Sequence, residues 1–190
     1  MRHSTPIESD AALMKQVADG NMVACRTLAA RHLDHAYGLA FRVIGDKGYA
    51  EDIAQESFLR LWKIAPKWHP SAQIKTWLFR VIHNLCIDRL RKENRYSGTE
   101  IPEIIDPAPN PYQMREAKQL QDAVSNALQK LPLRQRTAIT LVHFQQCGNI
   151  EAADIMDISV EALESLLSRG RRKLRELLDS SRSEFDGDVR

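Results

Sequence analysis

The chain has 190 residues, which suits one ordinary domain or two small ones. With 43% hydrophobic and 27% charged residues it can bury a core, and no apolar run approaches the roughly 20 residues of a spanning helix, so wholesale disorder and membrane insertion are both excluded. The formal net charge of +2 looks too small for a nucleic-acid partner, but the charges are not evenly spread along the chain.

The start, MRHSTPIESDAALMKQ, has no charged-then-apolar signal pattern, so a cytoplasmic protein is expected. Apolar residues recur at helical spacing and strand-type alternation is nowhere sustained, which predicts an all-α fold. Residues from about 11 to 64 read as two or three helices, broken near Gly20 and again near Gly45 to Gly48. His32 and His35 are expected on a solvated face of one of them. The run YAEDIAQESFLRLWK sets Glu51, Asp52, Gln55 and Glu56 on one side of a helix, with Ile53, Phe58, Leu61 and Trp62 on the other. Acids early in a helix favour its dipole, and the same acidic, amide-rich face suits docking on a basic protein surface.

From Arg60 to Arg95 nine basic residues face two acids, Asp88 and Glu93, a net of +7. A helix from Ile74 to Arg95 is expected to bury Ile74, Trp77, Leu78, Val81, Ile82 and Leu85 and to expose Lys75, Arg80, Asn84, Arg91 and Arg95. All three tryptophans, with Phe58 and Phe79, lie between residues 58 and 79. Aromatics interleaved with bases suit single-stranded DNA, which binds by stacking and phosphate neutralisation. Trp62 and Trp77 sit on apolar stripes and read as core. Phe79, off the stripe, and Trp68 with His69 in APKWHPSAQ are the candidates for base contact.

Pro102, Pro107, Pro109 and Pro111 fall in SGTEIPEIIDPAPNPYQ, which also carries Glu100, Glu103 and Asp106; residues 97–113 therefore read as an acidic, extended linker. Two helical domains flank it, 11–96 and 114–179, and the tail 180–190 is expected to fray. In the second domain Asn149 is placed to cap a short helix, IEAADIM, and a tight turn at Asp157 to Ser159 leads into a helix capped by Ser159. This is helix-turn-helix spacing, in which the second helix enters the major groove. Its outward face would be Glu161, Ser165, Ser168 and Arg172, with Arg169 and Arg171 beside it; residues 163–175 carry five bases against Glu164. Arginine can hold guanine edges or phosphates, and Glu161 and Glu164 oppose phosphate.

Cys25, Cys86 and Cys147 form no CxxC or CxxH pattern, so neither a disulfide framework nor a metal site is expected. His83 and Cys86 lie three apart with no base-orienting partner or phosphate loop, and packing explains them better than catalysis does. No enzyme, cofactor or small-molecule substrate is expected.

The run AEDIAQESFLRLW, then KTWLFRVIHNLCIDRLRKENR, then LPLRQRTAITL, then EAADIMDISVEALESLLSRGRRKLRELL resembles the extracytoplasmic-function (ECF) group of bacterial sigma-70 factors, in order and spacing over nearly the whole chain. The resemblance implies a dissociable, non-catalytic specificity subunit that binds core RNA polymerase and promoter DNA and is held inactive by an anti-sigma factor. It implies polymerase docking through Asp52, Ile53, Gln55, Glu56 and Leu59. It implies minus-10 recognition through Trp68 to Gln73 and the helix to Arg95, and minus-35 recognition through Ser159, Glu161, Ser165, Ser168, Arg169, Arg171 and Arg172. Leu131 to Arg136 would open the domain that meets the polymerase flap. Ala162, Glu164 and Leu166 stand where such recognition helices often carry Thr, Lys and Arg, which weakens a phosphate clamp at three positions. The rival reading is a stand-alone helix-turn-helix regulator, which leaves the basic-aromatic helix and the acidic face unexplained.

Overall fold

The computed structural model describes residues 8–69, 73–97 and 122–186, with backbone alone at 93–97 and 181–186. The expected linker from residue 98 onward and the start of the second expected domain, residues 114–121, lie outside the described residues. So do Pro70 to Ala72 and the side chain of Arg95.

Local chemistry sets the first breaks. Ser9 caps α1 (Asp10–Ala18) by accepting from the Ala12 amide. Gly20, at φ +83°, turns the chain, and Asn21 then caps α2 (Met22–Ile44) by accepting from the Val23 and Ala24 amides. Gly45 ends α2 at φ +87°, its N–H reaching the Phe41 carbonyl at 2.7 Å, a left-handed cap that only glycine adopts without strain. Asp46 immediately caps α3 (Lys47–Ile64), so Gly48, expected in the break, lies in the first turn of that helix. A single 3-10 turn, Ala65–Lys67, precedes α4 (Ile74–Ser97).

Leu28, Leu39 and Val43 of α2, Phe58 and Leu61 of α3 and Leu78 and Ile82 of α4 form the core of the first domain. The short α1 is pinned to α2 through Asp10, which accepts from Arg31 at 2.7 Å and from His32 Nε2 at 2.6 Å. Burial raises the Asp10 pKa, but the two hydrogen bonds outweigh it and hold the carboxyl below its usual range. His32 is therefore a half-buried anchor and not part of a solvated face.

The second domain contains α5 (residues 122–129), α6 (Leu133–Ile139), one wide π-type turn (Thr140–Phe144), α7 (Asn149–Met156) and α8 (Val160–Asp186). Asn149 does not cap α7. Gly148 holds the cap position without a side-chain bond, and Asn149 instead donates to Glu164 on α8 at 3.5 Å. Asp157, at φ 52°, makes the turn, and Ser159 caps α8 as expected, accepting from the Ala162 amide at 3.2 Å. Leu163 and Leu167 face the core, and the absent side chain of Gly170 lets α8 cross close to Ile139. The tail expected to fray from Ser180 is helical through Asp186; at its start the Ser180 hydroxyl donates to the Glu176 and Leu177 carbonyls.

The two domains pack against each other, α4 on α7 and α2 on α6 with its π-type turn. The reason lies in α4, which buries two stripes. Ile74, Leu78 and Ile82 face α2 and α3. Phe79, His83 and Cys86, at steps of four and three, form a second buried row beside Lys75 and Thr76. Among the described residues no helix is long and apolar enough to cross a membrane.

Candidate nucleic-acid interface

Alpha8 presents an uninterrupted outward surface. Ser159, Glu161, Ser165, Ser168, Arg169, Arg171 and Arg172 are all exposed, as the helical spacing requires once Leu163, Leu167 and Gly170 are buried. Glu161 is already engaged in the cap: its own backbone N–H and then the Ser159 hydroxyl hold its carboxyl below the usual range. Ala162 and Glu164 are exposed, whereas Leu166 is half-buried, so it packs where an arginine would reach out.

The surface of α4 is divided. Asn84 and Arg91 are exposed, and the backbone of Arg95 continues the helix. Lys75 and Arg80 are turned onto the second domain. Lys75 Nζ donates to the Gln145 carbonyl at 2.9 Å, and Arg80 Nη2 meets the Asp154 carbonyl at 2.6 Å and its carboxylate at 2.7 Å. Thr76 donates to Glu151 at 2.6 Å. Phe79, expected to be free for base contact, is only 1% exposed. It lies on the second buried stripe, between residues that all meet the second domain. Trp68 is half-buried, edge-on to Trp77 at 5.9 Å, while His69 is exposed.

On α3, Asp52, Gln55 and Leu59 share an exposed face, and Leu59 is 61% exposed. Glu56, half-buried, accepts from Arg60 at 2.8 Å. Ile53 does not belong to this face: at 7% exposure it is a core residue, on the opposite side of the helix. Of the segment the resemblance assigned to the flap, Leu131 and Arg136 are buried, leaving Pro132 and Arg134 exposed.

Residues 28–96 match the family described as Sigma-70 region 2, and residues 121–174 match Sigma-70, region 4. The ECF RNA polymerase sigma factor SigW of Bacillus subtilis is 31% identical over 176 residues, covering 87% of this chain and 94% of that protein. The chain belongs to the ECF group of sigma-70 factors. Two solved structures share its fold. CnrH, in complex with the cytosolic domain of CnrY, aligns with TM-score 0.67 and 29% identity over 91% of this chain and 99% of that one. The sigma factor RpoE of Bartonella quintana, in complex with the anti-sigma factor NepR, aligns with TM-score 0.68 and 26% identity over 81% and 96%.

What sequence reading missed in this sigma factor is the set of residues that joins its domains. Gln129 Nε2 donates to the Arg42 carbonyl at 3.0 Å, serving a carbonyl left over in the last turn of α2, and its oxygen accepts from Arg136. His35 Nδ1 donates to the Gln145 side chain at 3.0 Å, so His35, exposed on α2 as expected, also takes part in the junction. Arg42 stacks over Phe144 at 4.6 Å. Arg136 is only 4% exposed, and burial lowers its pKa to about 10. Facing it, burial pushes the Cys86 thiol up to about 12, and His83, desolvated and near Arg134, falls to about 4. These shifts follow from packing, as expected of His83 and Cys86.

Proposed function

We propose that this sigma factor works in the cytoplasm as a specificity subunit without chemistry of its own. Residues 11–96 would bind core RNA polymerase and the minus-10 element, residues 97–113 would act as a tether, and residues 114–179 would bind the minus-35 element. The observation that carries this reading is the pairing, in one chain, of an exposed helix-turn-helix recognition face on α8 with a basic helix, α4, on a separate domain. The exposed Asp52, Gln55 and Leu59 on α3 form the polymerase-docking face, with Glu56 at its margin.

In the closed packing α8 is open to duplex DNA, while on α4 Phe79 is buried, Lys75 is half-buried and Arg80, though exposed, is engaged by Asp154. Use of that part of α4 on the minus-10 strand therefore requires α7 to leave it. Polymerase docking that holds the domains apart supplies this step. Once α4 is free, Trp68, His69 and Phe79 are available to stack on unpaired bases, while Lys75, Arg80, Asn84, Arg91 and Arg95 serve phosphates and base edges. Stacking is worth roughly 1–3 kcal/mol per base, enough to hold open a strand already parted by polymerase. A small protein that stabilised the closed packing would act as an anti-sigma factor, the kind of partner named for the Bartonella quintana relative.

Run-off transcription with purified cognate core polymerase tests the reading: the chain should direct specific initiation with no other sigma factor present. Asp52→Arg should reduce co-elution with core. Absence of specific initiation across a genomic promoter library would overturn the proposal in favour of a stand-alone regulator.

A further inference from the structure

One flank of α8 borders a groove of about 380 Å³ that runs between its middle turns and the start of α6. Lys130, Arg169, Arg172 and Lys173 line it, with Glu176 and Pro132. All four cations are exposed, and the single acid lies 3.4 Å from Lys173. The opposite flank of α8, beside α7, carries the exposed Glu164 and the nearby turn residue Asp157. Arg171 and Arg175, both exposed and seven and eleven positions beyond Glu164, share that flank, so it is of mixed charge, whereas the groove is predominantly positive.

Anionic backbone is the occupant that fits. A protein helix laid in a groove needs several apolar anchors, and Pro132 is the one apolar residue in the lining. Arg169 and Arg172 join the groove to the outward face of α8, so a strand beside the bases read by that face passes directly over it. We propose that the groove seats the phosphate backbone of one DNA strand bordering the minus-35 base pairs, with Lys130 and Lys173 as sequence-independent anchors. This rests on α8 reading duplex DNA.

The test uses the full chain and a fluorescent random-sequence duplex of about 20 base pairs, with affinity measured across a salt series. Each phosphate contact contributes about 0.9 to the slope of log affinity against log salt. The double variant Lys130→Ala/Lys173→Ala should therefore flatten the slope by about 1.8, whereas Lys15→Ala/Lys63→Ala, at exposed lysines of the first domain, should leave it unchanged. An unchanged slope in the groove variant, or no duplex binding by the wild-type chain, overturns the proposal. It is equally overturned if a glutamate-rich peptide needs Lys130 and Lys173 for binding while the DNA slope does not. Specific run-off initiation by the same wild-type preparation reports separately on the sigma-factor reading, so the two failures are distinguishable.

Discussion

Reversing charge on the second-domain side of the junction, by Glu151→Lys/Asp154→Lys, should open the closed chain without touching α4. Two contacts are lost. The Thr76 to Glu151 hydrogen bond, at 2.6 Å to an ionised acceptor, is worth about 1.5–3 kcal/mol. The Arg80 to Asp154 ion pair joins side chains that are 47% and 61% exposed, and solvent reduces it to about 0.2–1 kcal/mol. The new lysines would also face Lys75 and Arg80. A total near 3 kcal/mol shifts the balance between open and closed forms by about two decades.

Cys86 reports the change directly, because it is fully buried, lies on the junction stripe of α4, and faces Arg136 of the second domain. Its labelling by a thiol reagent, followed by peptide mass spectrometry to separate it from Cys25 and Cys147, should accelerate by about 100-fold as the open population rises. X-ray scattering should show the radius of gyration growing from the roughly 16 Å of a compact chain of this size. If labelling rate and radius both match wild type, the contacts at Glu151 and Asp154 do not hold the domains together, and the reasoning fails.

Other substitutions address the supports of this arrangement. Gly45→Ala puts a side chain at φ +87°, where its Cβ would lie 2.7 Å from Gln129 Oε1; thermal unfolding should show a loss of about 1–2 kcal/mol from backbone strain, with faster Cys86 labelling as the junction loosens. His83 has a folded pKa of about 4 against an unfolded value near 6.5, so the unfolded chain binds the proton first. The stability this provides is complete above pH 6.5 and is lost as pH falls toward 4, a change of about 3 kcal/mol. Denaturant titrations at pH 7 and pH 4.5 should show that decline in wild type and less of it in His83→Gln; equal declines would remove His83 from the account. Ser159→Ala should cost about 1 kcal/mol in thermal unfolding through the lost cap of α8, and an unchanged melting temperature would mean the Ala162 amide is served by water equally well.

Much of the fold was legible because its signals are local. Gly20, Gly45, Asp157 and Ser159 mark breaks and caps through backbone conformation or a side chain a few residues away, and the stripe of Ile74, Leu78 and Ile82 marks a helix on a core. The face of α8 followed in the same way. Ile53 was misplaced because membership of a docking helix was taken for membership of its exposed face, although the spacing from Phe58 and Leu61 already put it inside. The junction was hidden for a different reason. Once Ile74, Leu78 and Ile82 had explained why α4 is a helix, the second row at Phe79, His83 and Cys86 had no evident partner. Gln145, Glu151 and Asp154 lie about 70 residues away, and polar residues on short helices look solvated until a tertiary contact uses them.

The chemistry of that junction explains how one surface can serve a protein and DNA in turn. Each hydrogen bond seen from α4 to the second domain runs from a donor on α4 to an oxygen: Lys75 to the Gln145 carbonyl, Thr76 to the Glu151 carboxylate, Arg80 to the Asp154 carbonyl and carboxylate. Phosphates and base edges offer acceptors of the same kind. On the proposed reading, these donors exchange one set of oxygens for another when DNA replaces α7, so the net hydrogen-bonding change is small. What opening must overcome includes the exposure of Phe79, about 2–3 kcal/mol for a fully buried side chain of that size, together with that of Cys86 and the loosening of Gln129 and Gln145. Stacking of the same ring on an unpaired base would recover about 1–3 kcal/mol of that. A larger apolar interface would close more tightly and could not be released at a comparable cost, which accounts for the near absence of large apolar residues around Phe79 on this row of α4.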